Sequence, residues 1–257
     1  MELLLGIAQR AADVADSITT LAFASRNFTV SLKADDSEVT EIDRSAEQAI
    51  TVSLITATPE FGIFGEEHGA SGRPEAEHVW VIDPIDGTTN FVRGLPVWAT
   101  LIALVSNNVP VLGVVSAPAL GFRWWATQGG GAFCNGNLIS VSNIAALGDA
   151  HISTTPNKGW EDIGALTNLM QLQTSAHRTR GFGDFWQHML VAQGAIDVAI
   201  DAVGLQPYDN AAIYPIVQEA GGKISNRLGV ENWQDNSMIS TNKLLHELVI
   251  STLNQTT

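Results

Sequence analysis

Asp83 and Asp86 stand three residues apart, between an apolar run and the segment Gly87-Thr88-Thr89-Asn90. Residues 79–82 are apolar and mostly β-branched, which predicts a buried strand, and Pro84 and Gly87 stop regular structure where the acids begin. Both carboxylates are therefore expected at the rim of a sheet. A strand interior would desolvate their charge, whereas a strand end can offer a cation and water. Gly87, Thr88 and Thr89 add backbone N–H groups and hydroxyls. Hard oxygen ligands beside exposed donors suit a divalent cation and a phosphate at once.

Other acids stand where they could join this pair. Residues 61–65 read as a short buried strand that delivers Glu66-Glu67 to a loop just ahead of the Asp83 strand. Successive strands are often spatial neighbours, so one of the two glutamates is expected to turn inward. Thr40 is placed as a helix N-cap with Asp43 in the capping-box position, which by itself explains Asp43 without chemistry. Asp184 precedes a helical segment, where the helix dipole favours an anion, and capping explains it equally well. His68 and His78 read as surface residues, because hard cations prefer oxygen. The run Gly129-Gly130-Gly131 lacks dinucleotide or P-loop spacing and reads as a hairpin turn. Trp124-Trp125 reads as core.

The elements that must hold these groups follow from periodicity. An amphipathic helix is predicted over 1–26, a short strand over 28–32, and a second helix from Asp43 to Ala57, ending before Pro59. Two apolar strands, 97–105 and 110–117, form a hairpin around Ser106-Asn107-Asn108, and 123–126 continues the sheet. A second half opens with a strand at 151–155. Helix 160–173, strand 176–180, a helix through Leu190 closed by Gly194, and strand 196–201 come next. One helix is predicted from Pro207 to the Gly221-Gly222 stop. Ser240-Thr241-Asn242 is expected to cap a last helix over 244–253. No linker or repeat interrupts the chain, so two tightly packed subdomains are expected, 1–148 with most of the metal ligands and 149–257 with Asp209.

The 257 residues, 45% hydrophobic and 16% charged, suffice for a large core. A net charge of −14 argues against a general affinity for nucleic acid or an anionic membrane. It conflicts with a phosphate substrate unless carboxylate-bound cations invert the local potential. The single cysteine, Cys134, rules out an internal disulfide and argues against a cysteine zinc site. With no long apolar run and no signal-peptide pattern at Met1-Glu2-Leu3-Leu4-Leu5, a soluble cytoplasmic protein is expected.

Glu66-Glu67, Asp83-Pro84-Ile85-Asp86-Gly87-Thr88-Thr89-Asn90-Phe91, Tyr208-Asp209-Asn210-Ala211-Ala212 and Glu219-Ala220-Gly221-Gly222 together resemble the signature motifs of the inositol monophosphatase family. Lys33 with Val39-Thr40-Glu41-Ile42-Asp43 matches a further motif, and the resemblance spans nearly the whole chain. It implies an α/β fold, an αβαβα five-layer sandwich, a homodimer, and magnesium-dependent hydrolysis of small phosphate monoesters with two or three ions per site. By position, Glu66, Asp83 and the carbonyl of Ile85 resemble the ligands of one metal, and Asp83, Asp86 and Asp209 those of a second. Thr88 oriented by Asp43 resembles the pair that activates the attacking water. The N–H groups of Gly87 and Thr88 resemble phosphate contacts, and Glu67 resembles the holder of a third magnesium through water. Tyr208 departs from the Trp common in the family before the last aspartate, which touches local packing and leaves the ligand intact.

Arg180-Gly181-Phe182-Gly183-Asp184-Phe185-Trp186, Gly94-Leu95-Pro96-Val97-Trp98 and Arg123-Trp124-Trp125-Ala126 resemble the histidinol-phosphate phosphatase branch, particularly its actinobacterial members. That substrate carries an ammonium and an imidazole, which carboxylates at Asp184 and Asp201 could pair with. An inositol-phosphate phosphatase, or one of broad specificity, is the alternative. A non-catalytic metal or phosphate-binding regulator on the same fold would have lost ligands, yet Asp43, Glu66, Asp83, Asp86, Thr88 and Asp209 are all present.

Overall fold

Helix α1 (Glu2–Ser25) buries a stripe of small residues, Ala8, Ala11, Ala12 and Ala15, at helical spacing. Without bulky side chains in the way, α1 packs closely along helix α2 (Glu41–Ala57). Between them lies a short hairpin of β1 (Val30–Leu32) and β2 (Glu38–Thr40). A computed structural model of the protein describes residues 1–33, 36–73 and 75–255.

Strands β3 (Gly62–Gly65), β4 (Gly69–Gly72) and β5 (His78–Asp86) are followed by the short helix α3 (Thr88–Arg93). Then come β6 (Ala99–Ser106), β7 (Val109–Ala117), β8 (Phe122–Thr127), β9 (Gly131–Cys134) and β10 (Asn137–Leu138). They form an eight-stranded sheet in the order β10-β9-β8-β7-β6-β5-β3-β4. Within this sheet, among the described residues, only β3 and β5 pair in parallel, which sends both of their C-terminal ends to the same rim.

The second half contains β11 (His151–Thr154), α4 (Lys158–Asp162), α5 (Leu166–Ser175), β12 (Arg178–Arg180), α6 (Asp184–Ala192) and β13 (Val198–Ile200). It ends with α7 (Pro207–Ala211), α8 (Ile213–Glu219), β14 (Lys223–Ser225), β15 (Ile239–Thr241) and α9 (His246–Leu253). Its five-stranded sheet runs β12-β11-β13-β15-β14.

Alternation along β5 sorts the layers. Trp80 and Ile82 point to the α1–α2 side and pack with Ile7, Ala11, Ile50 and Leu54. Val81 points the other way, into a core shared with Met189 of α6, Ala211 of α7 and Ile216 of α8. Those three helices form the middle layer, since α6 also packs on β13 and α8 on β14. On the far face of the small sheet, Ile152, Val198 and Ile239 bury against Leu169, Leu172 and Val249 from α5 and α9. The result is an αβαβα sandwich of five layers. No helix among the described residues is long and apolar enough to cross a membrane.

Several expected elements are subdivided. The helix read over 160–173 breaks into α4 and α5 at Gly164, whose φ of 71° only glycine adopts readily. The helix read from Pro207 to the glycine stop divides at Ala212 into α7 and α8. That junction sits directly on β7, where a Cβ added to Gly113 would lie 2.1 Å from the Ala212 carbonyl oxygen. Ser240 and Thr241 lie in strand β15, completing the ladder between β13 and β14, while the Thr241 hydroxyl and Asn242 Oδ1 accept the Lys243 and Leu245 N–H groups at 3.2 and 3.3 Å ahead of the last helix. The last helix accordingly starts at His246 instead of Leu244. The glycine run forms the turn between β8 and β9, and the Glu219 carboxylate at the end of α8 accepts the N–H groups of Gly129 and Gly131 at 2.7 and 2.9 Å.

Candidate metal and phosphate site

In an undisturbed strand Asp83 and Asp86 would face opposite sides, because their separation is odd. The pairing of β5 with β6 slips between them, however: Asp83 stands opposite Leu101 and Asp86 opposite Ala99, so three steps on β5 match two on β6. This bulge, at Pro84-Ile85, turns Asp86 to the side that Asp83 already faces. The Thr100 hydroxyl secures it by donating to the Pro84 carbonyl at 2.8 Å.

Asp209 reaches the same point from α7, where Pro207 occupies the first turn and the Asp209 carboxylate accepts the Gln206 N–H at 2.7 Å. Carboxylate oxygens of Asp83, Asp86 and Asp209 lie within 4.8 Å of one another. Glu66, just after β3, accepts Lys33 Nζ at 2.7 Å, and its charge acts on Asp83. The Asp83 side chain is buried, and its Oδ1 has no hydrogen-bonding partner among the described residues. Burial, reinforced by the charges of Glu66, Asp86 and Asp209, pushes the Asp83 carboxyl well above the usual range. Asp86 is raised for the same reasons, chiefly burial and then Asp184 and Asp209. For Asp209, burial outweighs the Gln206 N–H and lifts the carboxyl to about 7. An orphaned buried carboxylate oxygen among mutually repelling acids is the arrangement a hard cation would complete.

Asp43 divides its two oxygens between two tasks. Oδ2 accepts the Thr40 N–H at 2.9 Å and the Thr40 hydroxyl at 2.6 Å, closing the capping box of α2. Oδ1 accepts the Thr88 hydroxyl at 3.0 Å. Thr88 Oγ1 lies equally close, 3.0 Å, to the Ile85 carbonyl, so the hydroxyl bridges Asp43 and the bulge. Glu67 is buried beside Lys33 Nζ at 2.5 Å, and its charge adds to the burial that raises the Asp43 carboxyl.

Gly87 starts α3 with a φ of 86°, and a Cβ there would meet the Val97 carbonyl at 2.9 Å and Asp184 Oδ2 at 3.4 Å. A cavity of about 380 Å³ opens at this point, lined by Glu66, Gly87, Thr88, Asn90 and Asp184. A second, of about 230 Å³, lies behind Asp184 and is lined by Asp86, Asp184, Asp201 and Asp209. Asp184 is the wall common to both. It has a left-handed backbone, φ 47°, unusual for a non-glycine residue, and makes no capping bond to α6. Its carboxylate instead accepts Asn90 Nδ2 at 2.7 Å, while the next N–H, that of Phe185, donates to Asp86 at 2.7 Å. Burial and then the charge of Asp201 lift Asp184 to about 6 despite the Asn90 bond. Asp201 behaves oppositely: burial raises it, but His188, the Thr155 hydroxyl and the Ala202 N–H more than compensate and hold it below the usual range.

The folded chain thus brings Asp43, Glu66, Glu67, Asp83, Ile85, Asp86, Gly87, Thr88, Asp184, Asp201 and Asp209 around two adjoining cavities. Sequence reasoning missed two buried residues behind them. The Glu47 carboxylate accepts the N–H groups of Glu67 and His68 at 2.7 and 2.9 Å and so fixes the loop that carries Glu66. His188 Nε2 lies 3.0 Å from Asp201 Oδ2. Each lies one helical turn after an acid already singled out, Asp43 or Asp184, and that i+4 spacing is the signal that could have found them.

The inositol monophosphatase family model matches residues 1–257. A histidinol-phosphatase from Mycobacterium tuberculosis is 40% identical over 255 residues, covering 97% of both chains. One from Streptomyces coelicolor is 41% identical, covering 98% of this chain and 97% of its own. Among solved structures, the extragenic suppressor protein suhB from Bartonella henselae superposes with a TM-score of 0.92 at 30% identity, over 99% of this chain and 100% of its own. With full-length matches in both sequence and structure, the chain belongs to the inositol monophosphatase family.

Proposed function

We propose that the protein hydrolyses L-histidinol phosphate to L-histidinol and phosphate, using magnesium held by the carboxylate cluster. The observation that carries the substrate assignment is the pair Asp184 and Asp201, two carboxylates lining the cavity next to Asp86 and Asp209. A phosphate ester whose alcohol bears an ammonium and an imidazole can pair its charges with these carboxylates, where a neutral polyol offers only hydroxyl hydrogen bonds. The kinship with two histidinol-phosphatases at 40% and 41% identity supports the same reading.

Glu66, Asp83, Asp86, Asp209 and the Ile85 carbonyl would hold the cations, with Glu67 supporting a further one through water. When bound, the divalent cations offset the charge of the phosphate and acidify water. The chain's own residues do the rest. The Gly87 and Thr88 N–H groups, at the start of α3, hold phosphate oxygens, and the Thr88 hydroxyl orients the attacking water. Asp43 Oδ1, 3.0 Å from that hydroxyl, receives the proton that the water releases through it. Its burial, which raises its proton affinity, suits that role. Asp184, held by Asn90, and Asp201 fix the alcohol so that the ester oxygen lies in line with the attack.

The test is kcat/KM for L-histidinol phosphate against inositol 1-phosphate in saturating magnesium. A preference for the inositol ester beyond about tenfold, ~1.4 kcal/mol in the transition state, overturns the substrate and favours an inositol-phosphate phosphatase.

A further inference from the structure

The Asp201 carboxylate is fixed at three points. Oδ1 accepts the Thr155 hydroxyl and the Ala202 N–H, each at 2.7 Å, and Oδ2 meets His188 Nε2 at 3.0 Å. His188 is fully buried and is itself aimed by the Ser240 hydroxyl on β15, 2.8 Å from Nδ1. Thr155 in turn accepts Gln187 Nε2 at 3.2 Å, and Gln187 Oε1 accepts the Ser153 hydroxyl at 2.8 Å. Helix α6 therefore presents Asp184 to the cavity from its first position and, one turn later, the histidine that holds Asp201.

Stability does not call for this pair. An apolar side chain of similar volume at position 188, packed against an apolar residue 201, would avoid desolvating a carboxylate and an imidazole. Asp201 also faces Asp86, Asp184 and Asp209 across the cavity. Their repulsion favours rotation of its carboxylate away from the cavity, and the His188 bond opposes that rotation.

We infer that His188 is a positioning residue, acting through Asp201 to aim its carboxylate at the cationic alcohol of the substrate. The inference rests on the substrate reading above. It makes His188 a determinant of which ester is used and leaves phosphoryl chemistry itself to other residues.

The full-length enzyme in saturating magnesium is assayed with L-histidinol phosphate and with p-nitrophenyl phosphate, whose leaving group carries no cation. His188→Ala is expected to lower kcat/KM for L-histidinol phosphate about 30-fold, mostly through KM, and to change p-nitrophenyl phosphate by less than about threefold. His188→Gln, which can present an amide N–H near the Nε2 position, is expected to recover most of the loss. Ser240→Ala, which frees only the outer ring nitrogen, is expected to cost about threefold on the cationic ester alone. Equal losses on both esters, or none on either, overturn the inference while the substrate reading stands. Should His188→Ala not fold, Ser240→Ala decides: no selective loss overturns it. A wild type that does not favour the cationic ester overturns the substrate reading, and the inference with it.

Discussion

The Thr88 hydroxyl lies 3.0 Å from Asp43 Oδ1, joining residues 45 positions apart, while the other Asp43 oxygen caps the helix on which Asp43 rides. One carboxylate thus has one oxygen in a helix cap and the other on the Thr88 hydroxyl. Thr88→Ala leaves the cap intact and removes the hydroxyl that, in the proposed mechanism, links Asp43 to the attacking water. It should lower kcat by ~10²–10³ with little change in KM or in magnesium requirement. Asp43→Asn keeps an acceptor for the Thr40 N–H, so the fold should lose no more than about 1 kcal/mol while kcat falls comparably. Steady-state kinetics with thermal melts separate the two effects. A Thr88→Ala enzyme with near-normal kcat would remove Thr88 from the mechanism.

If the acidic cluster holds cations, stability should depend on metal and pH together. Asp184 and Asp209 hold folded-state values of about 6 and about 7, above the ordinary ~3.9 of an aspartate. Their protonated forms therefore stabilise the fold fully below about pH 4, and that contribution disappears as pH rises through about 6 and about 7. In EDTA the unfolding free energy should fall between about pH 4 and about pH 7, by an amount on the order of a few kcal/mol, and the Tm should fall with it. Magnesium should offset the fall, since a ligand at 100 times its Kd stabilises by ~2.7 kcal/mol. Asp209→Asn should flatten the metal-free fall and abolish turnover, and Asp83→Asn should likewise abolish turnover without unfolding the protein. Melts in EDTA and in magnesium across this range check it, and a metal-free Tm that climbs steadily to about pH 8 with no magnesium response would count against the cluster as a cation site.

His246 works in the opposite direction. Its ring is buried between the Ser225 hydroxyl, 2.9 Å from Nε2, and the Thr241 hydroxyl, 3.1 Å from Nδ1. Burial, with a contribution from Lys223, lowers its proton affinity to about 4. The unfolded chain takes up this proton near pH 6.5. The neutral ring therefore contributes stability above that pH, and the contribution is lost as pH falls toward about 4. Roughly 2–3 kcal/mol is at stake. Urea denaturation of His246→Asn should show a lower stability near neutrality but a shallower decline toward about pH 4.5 than wild type. Parallel declines would remove His246 as the cause.

What the sequence makes legible is local. The Thr40–Asp43 capping box, the apolar strand before Asp83 and the proline that opens α7 depend on neighbours within a few residues, and all three occur in the fold. Contacts made at a distance are different in kind. Ser240 and Thr241 carry the composition of a cap, yet the gap between β13 and β14 makes them a strand. The β5 bulge cannot be counted from spacing alone, because only pairing with β6 shows that Asp83 and Asp86 share a side. Glu47 and His188 look like ordinary helix residues until the loop and the strand they bind are in place. Capping was also a sufficient explanation of Asp184, and only its bond to Asn90 displaces it.

The least conspicuous of these contacts should be the most sensitive. A Cβ on Gly65 would fall 2.3 Å from Glu47 Oε1, a contact that cannot persist. The Glu47 carboxylate holds the N–H groups of Glu67 and His68, so it cannot move without releasing the loop. Gly65→Ala should therefore push that loop outward and take Glu66 away from Asp83, although neither glutamate is mutated. Glu47→Gln tests the same coupling more gently, since one amide oxygen can still accept an N–H while the charge is lost. Outer partners of metal ligands typically cost ~10–100-fold in metal affinity when altered. The magnesium concentration for half-maximal activity should thus rise about tenfold in Glu47→Gln and further in Gly65→Ala. Magnesium titration of activity, with metal binding by calorimetry, measures it. An unchanged magnesium requirement in folded Gly65→Ala would mean that Glu66 does not depend on this loop for its place.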